Sequence, residues 1–578
     1  MAATLDLVFL WHMHQPDYRD HGGAPGPDGS EDSHGTRQGE FLLPWVYLHA
    51  WKDYADMAGH LERHPRIRAV VNFVPVLLDQ LEDYVDQFAS GRFRDPLLRL
   101  LGQPDLGSLS ETERTLLLDT CFRSNHVTML APFPRYKRLH DLYLGLSADG
   151  GAALRYLSAD YFSDLVTWYH LAWSGETVRR EKPLIASLMS KGEGYDAADR
   201  QALLAAIGEV VAGIIPRYRA LAERGQIELS ATPDTHPLAP LLLDFHAARE
   251  SLPEAPLPGA AGYPGGHARV DAQIAAARGN HTRRFGQPPT GMWPAEGAVS
   301  APFVRHLADA GIRWIASGEG VLRNSLAGSS IPAEGAAYRP WRLQDIDGIT
   351  LFFRDERLSD LIGFDYAKWH GRDAAGHLTG ELEGIRSAAP DGETPCVGVV
   401  LDGENAWEHY PYNGYYFFDD LYTLLGTHPA IRTTTYADVL ASRQPAALPR
   451  LVAGSWVYGT LSTWIGESQK NRAWDLLCAA KQSYDLVLGS GRLSPQESTA
   501  AGRQLAICES SDWFWWFGDY NPAAAVESFD RLFRHNLSRL YQLLRLPPPA
   551  ALEQPISGGN TAVASTSGAM RRATEPLH

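Results

Sequence analysis

One pattern limits this chain's fold more than any other: a short, almost uninterrupted apolar run, then polar or aromatic residues, then a helical stretch. It recurs along the first three quarters of the sequence. The runs are Leu5 to Trp11, ending in His12 and His14; Ala69 to Val74; Ile227 to Ser230, followed by Asp234 and His236; Gly291 to Trp293, ending at Glu296; Ile312 to Ser317; Ile349 to Phe353; and Cys396 to Leu401, ending at Asp402. A strand apolar at successive positions is buried on both faces, the condition of a parallel sheet covered by helices. Polar residues gather where several of these strands end, and in a β/α barrel the chemistry sits at the carboxyl ends of the strands. The expected architecture is α/β, a barrel with helical insertions over residues 1–440. The pattern alone does not fix the strand number.

Two helical stretches interrupt the alternation. Residues 100–190 are helical in pattern and rich in aromatics. Ala197 to Arg224 carries Leu203, Ile207, Val210, Val211, Ile214 and Ile215 at helical spacing, with Pro216 expected to kink or break it. Residues 441–546 read as a C-terminal helical domain. Its last helix bears the stripe Val526, Phe529, Phe533, Leu537, Leu540 and Leu544, which points to core packing. Residues 547–578, after three prolines, turn Gly-, Ser-, Thr- and Ala-rich and are expected to be a disordered tail. A Gly/Asp/Ser-rich loop at 18–38 follows the first strand, where it could join the rim of a site.

Composition narrows the function classes. The formal net charge is −16, which repels nucleic-acid phosphates and says little about a neutral ligand such as a sugar. Cys121, Cys396, Cys478 and Cys508 show no CxxC pairing, so neither a disulfide framework nor a zinc knuckle is expected. With no signal-peptide pattern and no apolar run long enough to span a bilayer, the expectation is a cytoplasmic protein without a membrane partner. The 16 Trp and 24 Tyr suit sugar stacking and ordinary cores alike.

Three motifs can carry chemistry. His12 and His14, two apart on a strand, point to one face and read as a metal pair, as donors to a polar ligand, or as satisfied histidines at a strand end. Glu296, in Trp293-Pro294-Ala295-Glu296-Gly297, lies at a strand-to-helix junction; it is either a reactive carboxylate or an acid stabilising a helix N-terminus. Asp402, Glu404 and Glu408 crowd one strand end. Mutual repulsion there would raise one pKa, as a general acid needs, unless the segment is only a solvated acidic loop. A helical segment adds Trp464 to Glu467, and Ser511 to Phe517 is a dense aromatic patch.

In order and spacing these segments resemble glycoside hydrolase family 57. The marks are His14-Gln15-Pro16; Gly225 to Ser230 leading to His236-Pro237; Trp293 to Glu296; Asp402-Gly403-Glu404-Asn405-Ala406-Trp407-Glu408; and Trp464 to Glu467. The resemblance implies a (β/α)7-type barrel followed by a helical domain, and a retaining mechanism on α-glucans with Glu296 as nucleophile and Asp402 as general acid/base. It also implies substrate-shaping positions at His12, His14, His236, Glu404, Trp407 and Trp464. Trp293 and Trp513, from the same motif and the aromatic patch, join that set of expected substrate contacts. The Asp402 string looks closest to the α-amylase and amylopullulanase-like branch. No cofactor or metal is expected. The activity expected is hydrolysis of α-1,4-linked glucans. 4-α-Glucanotransfer or branching with the same carboxylates is the alternative, and a zinc α-mannosidase or polysaccharide deacetylase the distant one.

Overall fold

The computed structural model describes residues 4–20, 39–148 and 151–560. The loop expected at 18–38 therefore lies almost wholly outside the described residues. Seven parallel strands close into a barrel in sequence order: β1 (Leu5–Met13), β2 (Ala69–Phe73), β3 (Ile227–Ala231), β4 (Gly291–Met292), β5 (Trp314–Gly318), β6 (Thr350–Arg354) and β7 (Cys396–Asp402). Each pairs with the next, and β7 returns to β1. All seven apolar runs are strands of this barrel. Three short strands, Trp341–Leu343, Ile431–Thr433 and Ala446–Leu448, attach to it.

The period of two along each strand decides what fills the barrel and what crowns it. Val8, Leu10, Val70, Trp314, Ala316, Phe352 and Val400 form a buried cluster separate from the main core. One step further toward the carboxyl ends, the same alternation places His12, Asn72, Arg354 and Asp402. The register is consistent with this, since His12 lies opposite Asn72 on one side and Asp402 on the other. The barrel interior is therefore apolar below and polar at its mouth, and a one-residue slip would turn that polar rung into the helix layer. Gly291 is required at its place, because a Cβ there would lie 1.9 Å from the Trp314 ring.

Among the described residues, 96–191 hold six α-helices, beginning at Pro96–Gly102 and ending at Pro183–Lys191. Helix α1 (Ala197–Glu223) runs through Pro216 without ending, so the proline does not break it. Leu203, Ile207, Val211, Ile214, Tyr218 and Leu221 are buried along its length. That packing outweighs the ~3 kcal/mol an interior proline costs.

The C-terminal region comprises α2 (Ser468–Gly489), α3 (Pro495–Cys508), α4 (Ser511–Trp516) and α5 (Ala523–Leu543). The apolar stripe of α5 is buried, as core packing requires. The tail departs from expectation over residues 550–560. Ala550–Glu553 forms a helical turn, and the Ile556 and Ser557 amides donate to buried Asp530 at 2.7 and 3.2 Å. A carboxylate removed from water needs such donors, and the tail supplies them. Residues 561–578 lie outside the described residues. No described helix is long and apolar enough to cross a membrane.

Candidate active site

The barrel mouth opens into a cavity of about 640 Å³. Its floor is His12, His14, His236, Glu296, Arg354 and Asp402. One wall comes from the helical insertion, including Phe122 and Tyr143, and the other from α4 and α5, including Asp512, Trp515, Trp516 and Phe529. The structure thus brings together Glu296, Asp402, Glu404, His12, His14 and His236 from four separate stretches of chain.

Glu296 follows β4 on a tight turn and has φ +59°, ψ 21°, a left-handed conformation uncommon for any side-chain-bearing residue. Thr235 and His236, after the neighbouring strand β3, also have positive φ. Strain of about 1–3 kcal/mol per residue persists only where surrounding contacts enforce it, and here they do. The Trp456 amide donates to the Glu296 carbonyl at 3.1 Å. The Trp456 indole donates to Glu296 Oε2 at 3.2 Å, and Ser511 Oγ lies 3.1 Å from Oε1. The C-terminal region therefore clamps a carboxylate that belongs to the barrel.

Behind Glu296 runs a chain of neutral groups. Asn72 Oδ1 accepts from Thr232 at 3.0 Å and faces His12 Nδ1 at 2.7 Å, so Nδ1 carries the proton. His12 Nε2 then accepts from His236 Nε2 at 3.1 Å. His236 Nδ1 is left as an acceptor, 2.8 Å from Ser511 Oγ. A hydroxyl has one proton to give. If Ser511 gives it to His236, the bond to Glu296 is complete only with a proton on the carboxyl. Burial brings the His12 pKa down to about 3, with His14 second, and lowers that of His236 too. Burial first, then the charges of Asp512 and Asp402, push the Glu296 pKa up to about 8. The hydrogen bonds from Trp456 and Ser511 oppose that shift without cancelling it, so Glu296 holds its proton more tightly than an ordinary carboxyl.

Asp402 ends β7. Its pKa is raised chiefly by burial, and the Asn405 amide donating to Oδ2 at 2.9 Å opposes the shift. Burial, more than the neighbouring acids the sequence pointed to, is the main cause. Glu404 is turned back into the protein. Its Oε1 accepts from the His14 amide at 3.1 Å and from Gln15 Nε2 at 3.2 Å, tying the β7 loop to the β1 loop. Burial, then Asp402, raises its pKa well above the ordinary range.

The tryptophans expected as substrate contacts are placed otherwise. Trp293, Trp407, Trp464 and Trp513 are all at most 1% exposed, and none lines the cavity. Trp407 packs edge-on against Trp11 and Phe418 and donates to Gly403 O at 2.8 Å, holding the Asp402 loop. Trp513 donates to Ile507 O and packs against Phe533. Trp464 backs Trp515, and Trp293 backs Trp456. The lining rings are instead Trp45, Trp173, Trp456, Trp515 and Trp516. In α4 a helical reading separates the two sets. Asp512, Trp515 and Trp516 fall at i, i+3 and i+4 on the cavity side, while Trp513, Phe514 and Phe517 face the core. Asp512, missed in the sequence, bonds His14 Nε2 at 2.9 Å. Arg354, also missed, sits over Trp456 at 5.2 Å.

Among the described residues, His14, His236 and Asp512 have ligand atoms within 4.8 Å of one another. The two imidazoles stack at 3.9 Å with planes 20° apart. Their in-plane lone pairs therefore run side by side instead of converging, and His14 Nε2 is engaged by Asp512. This arrangement suits hydrogen bonding better than tetrahedral zinc.

Two opposed pH effects are expected. Asp512→Asn removes a negative charge beside Glu296 and lowers its pKa, so the ascending limb of kcat/KM moves to lower pH. Trp456→Phe keeps an aromatic ring but removes a donor that favours the carboxylate, so the same limb moves to higher pH. Profiles of the two variants displaced in the same direction would contradict this electrostatic account.

Several solved structures share this fold. The structure superposes on a branching enzyme from Thermococcus kodakaraensis with a TM-score of 0.58 at 15% identity, covering 94% of this chain and 90% of that one. A branching enzyme from Pyrococcus horikoshii gives 0.57 at 16% identity, with 94% and 90% covered. The α-amylase AmyC from Thermotoga maritima gives 0.53 at 13% identity, with 94% and 93% covered. No curated protein sequence matches the chain. Residues 8–451 match the model of glycosyl hydrolase family 57, a span that runs from within β1 past β7 and holds both candidate carboxylates. The chain belongs to glycosyl hydrolase family 57.

Proposed function

We propose that this protein cleaves α-1,4-linked glucans by a retaining, two-step displacement, with Glu296 as nucleophile and Asp402 as general acid/base. The observation that carries this reading is two partly buried carboxyls from different strand ends, Glu296 and Asp402, lining one cavity, with the Asp402 charge among the causes that raise the Glu296 pKa. In the first step an ionised Glu296 oxygen attacks the anomeric carbon, the glycosidic C–O bond breaks, and the Asp402 proton goes to the departing oxygen. In the second, Asp402 takes a proton from water, whose oxygen attacks the same carbon and releases Glu296. Attack thus requires a proton on Asp402 and an ionised Glu296, so the raised Glu296 pKa means that its proton must leave before the first step.

Transfer to a sugar hydroxyl is the second reading, favoured by one feature. Rings from two separate walls, Phe122 and Tyr143 on one and Trp515, Trp516 and Phe529 on the other, line the cavity. Such surfaces hold a second sugar as readily as a first. Incubation with maltoheptaose, amylose and pullulan, with products resolved by size and linkage, tests both. Shorter oligosaccharides alone mean hydrolysis, longer ones mean transfer, new α-1,6 linkages mean branching, and no change refutes the proposal.

A further inference from the structure

We infer that the surface corner formed by Tyr412 and Tyr416, outside the cleft, is an accessory binding site for an α-glucan chain; this rests on the glucan reading above. Both rings are large and exposed, at 57% and 48%. They meet at 89° with centroids 5.3 Å apart, a right-angled shelf rather than a packed stack. The shelf is held in place. Arg180 lies over Tyr415 at 4.2 Å and over Tyr416 at 5.5 Å, and donates to the Tyr416 hydroxyl at 3.0 Å.

The backbone beneath is forced. Tyr412 and Asn413 both adopt left-handed conformations, with φ of 53° and 52°, which is disfavoured for a bulky residue. Asn413 is pinned from below: Lys52 Nζ donates to its Oδ1 at 3.1 Å, and its Nδ2 donates to buried Asp56 at 2.9 Å. A buried polar anchor thus maintains strain whose visible result is an exposed tyrosine.

The chemistry of the shelf selects the occupant. Apolar ring faces flanked by phenol hydroxyls and a half-exposed guanidinium match a sugar, which offers C–H faces and a rim of hydroxyls. An acidic or purely apolar partner would leave one half of the shelf unmatched. Position agrees as well. Glu408 lines the cleft, and Tyr412 follows four residues later, so their Cα atoms are at most about 15 Å apart. A polymer chain seated on the shelf remains tethered near the cleft, which raises the local concentration of its other segments.

The test is retardation of the full-length protein in native gels containing glycogen, together with turnover of maltoheptaose and solution mass. Tyr412→Ala/Tyr416→Ala is expected to weaken retardation about tenfold, two rings contributing about threefold or more each. Maltoheptaose turnover and melting temperature should be unchanged. Tyr412→Phe, which keeps the ring face, should retain most retardation. Unchanged retardation in the double variant overturns the site. So does a native dimer that the double variant converts to monomer without altering retardation, which would make this face a self-interface. Tyrosine-dependent retardation by a protein that does not process maltoheptaose would leave the shelf standing and remove the catalytic reading instead.

Discussion

Glu296→Ala loses turnover of natural glucans by roughly 10³-fold or more, because it removes the carboxylate proposed to form the covalent bond. With azide added, the vacated space admits a small anion that attacks the anomeric carbon directly, and an α-glucan bearing an activated leaving group yields the β-glycosyl azide. An α-azide, or activity near the native level, would show that Glu296 is not the nucleophile. The companion variant Glu296→Gln isolates the charge. The folded-state pKa of about 8 lies above the ordinary 4.5. The folded protein then binds the extra proton, and native stability falls as pH rises from about 4.5 to about 8. Glu296→Gln removes that loss, so at pH 8 it should melt at or above the native temperature, and below pH 4.5 the two should converge. A catalytic residue whose replacement leaves the fold as stable or more so is the signature of a strained, desolvated site.

Asp402→Asn produces the second large effect, and its size depends on the leaving group. For a glucan oxygen, a poor leaving group, loss of the acid slows the first step by roughly 10²–10⁴-fold. For a fluoride or nitrophenolate the loss in that step is small, since such groups depart without a proton. Equal losses for both classes would contradict an acid role. With azide, Asp402→Ala should give the α-azide, because the anion now attacks the glycosyl-enzyme in the second step. The azide products of Glu296→Ala and Asp402→Ala therefore have opposite configurations, which distinguishes the two roles better than the magnitude of either loss. Removing the Asp402 charge also lowers the Glu296 pKa, because that charge is one of the contributions raising it, so the ascending pH limb of the variant moves to lower pH.

The comparison of motif residues with placed residues has a consistent logic. His12, His236, Glu296, Asp402 and Glu404 were legible because each lies within a residue or a few of a strand end, and a parallel barrel delivers strand ends to one face. The tryptophans were less so. Trp407 and Trp464 stand in the same motifs, but a ring beside a catalytic residue can support it from behind as readily as it can touch a ligand. Asp512 was hidden because its neighbours are aromatic and its partner, His14, is nearly five hundred residues away.

By itself, the sequence determined the alternation of buried parallel strands with helices, the family to which they belong, and the strand ends that would meet at the barrel mouth. Those features follow from local alternation and short-range spacing, which the chain carries in full. Only the tertiary structure decided that Trp456, Ser511 and Asp512 from the C-terminal region close over Glu296, that His12 and His236 join in one hydrogen-bonded chain, and that burial and nearby charge raise the Glu296 pKa. Burial and through-space charge set those properties, and both depend on which distant segments exclude water from the same few ångströms.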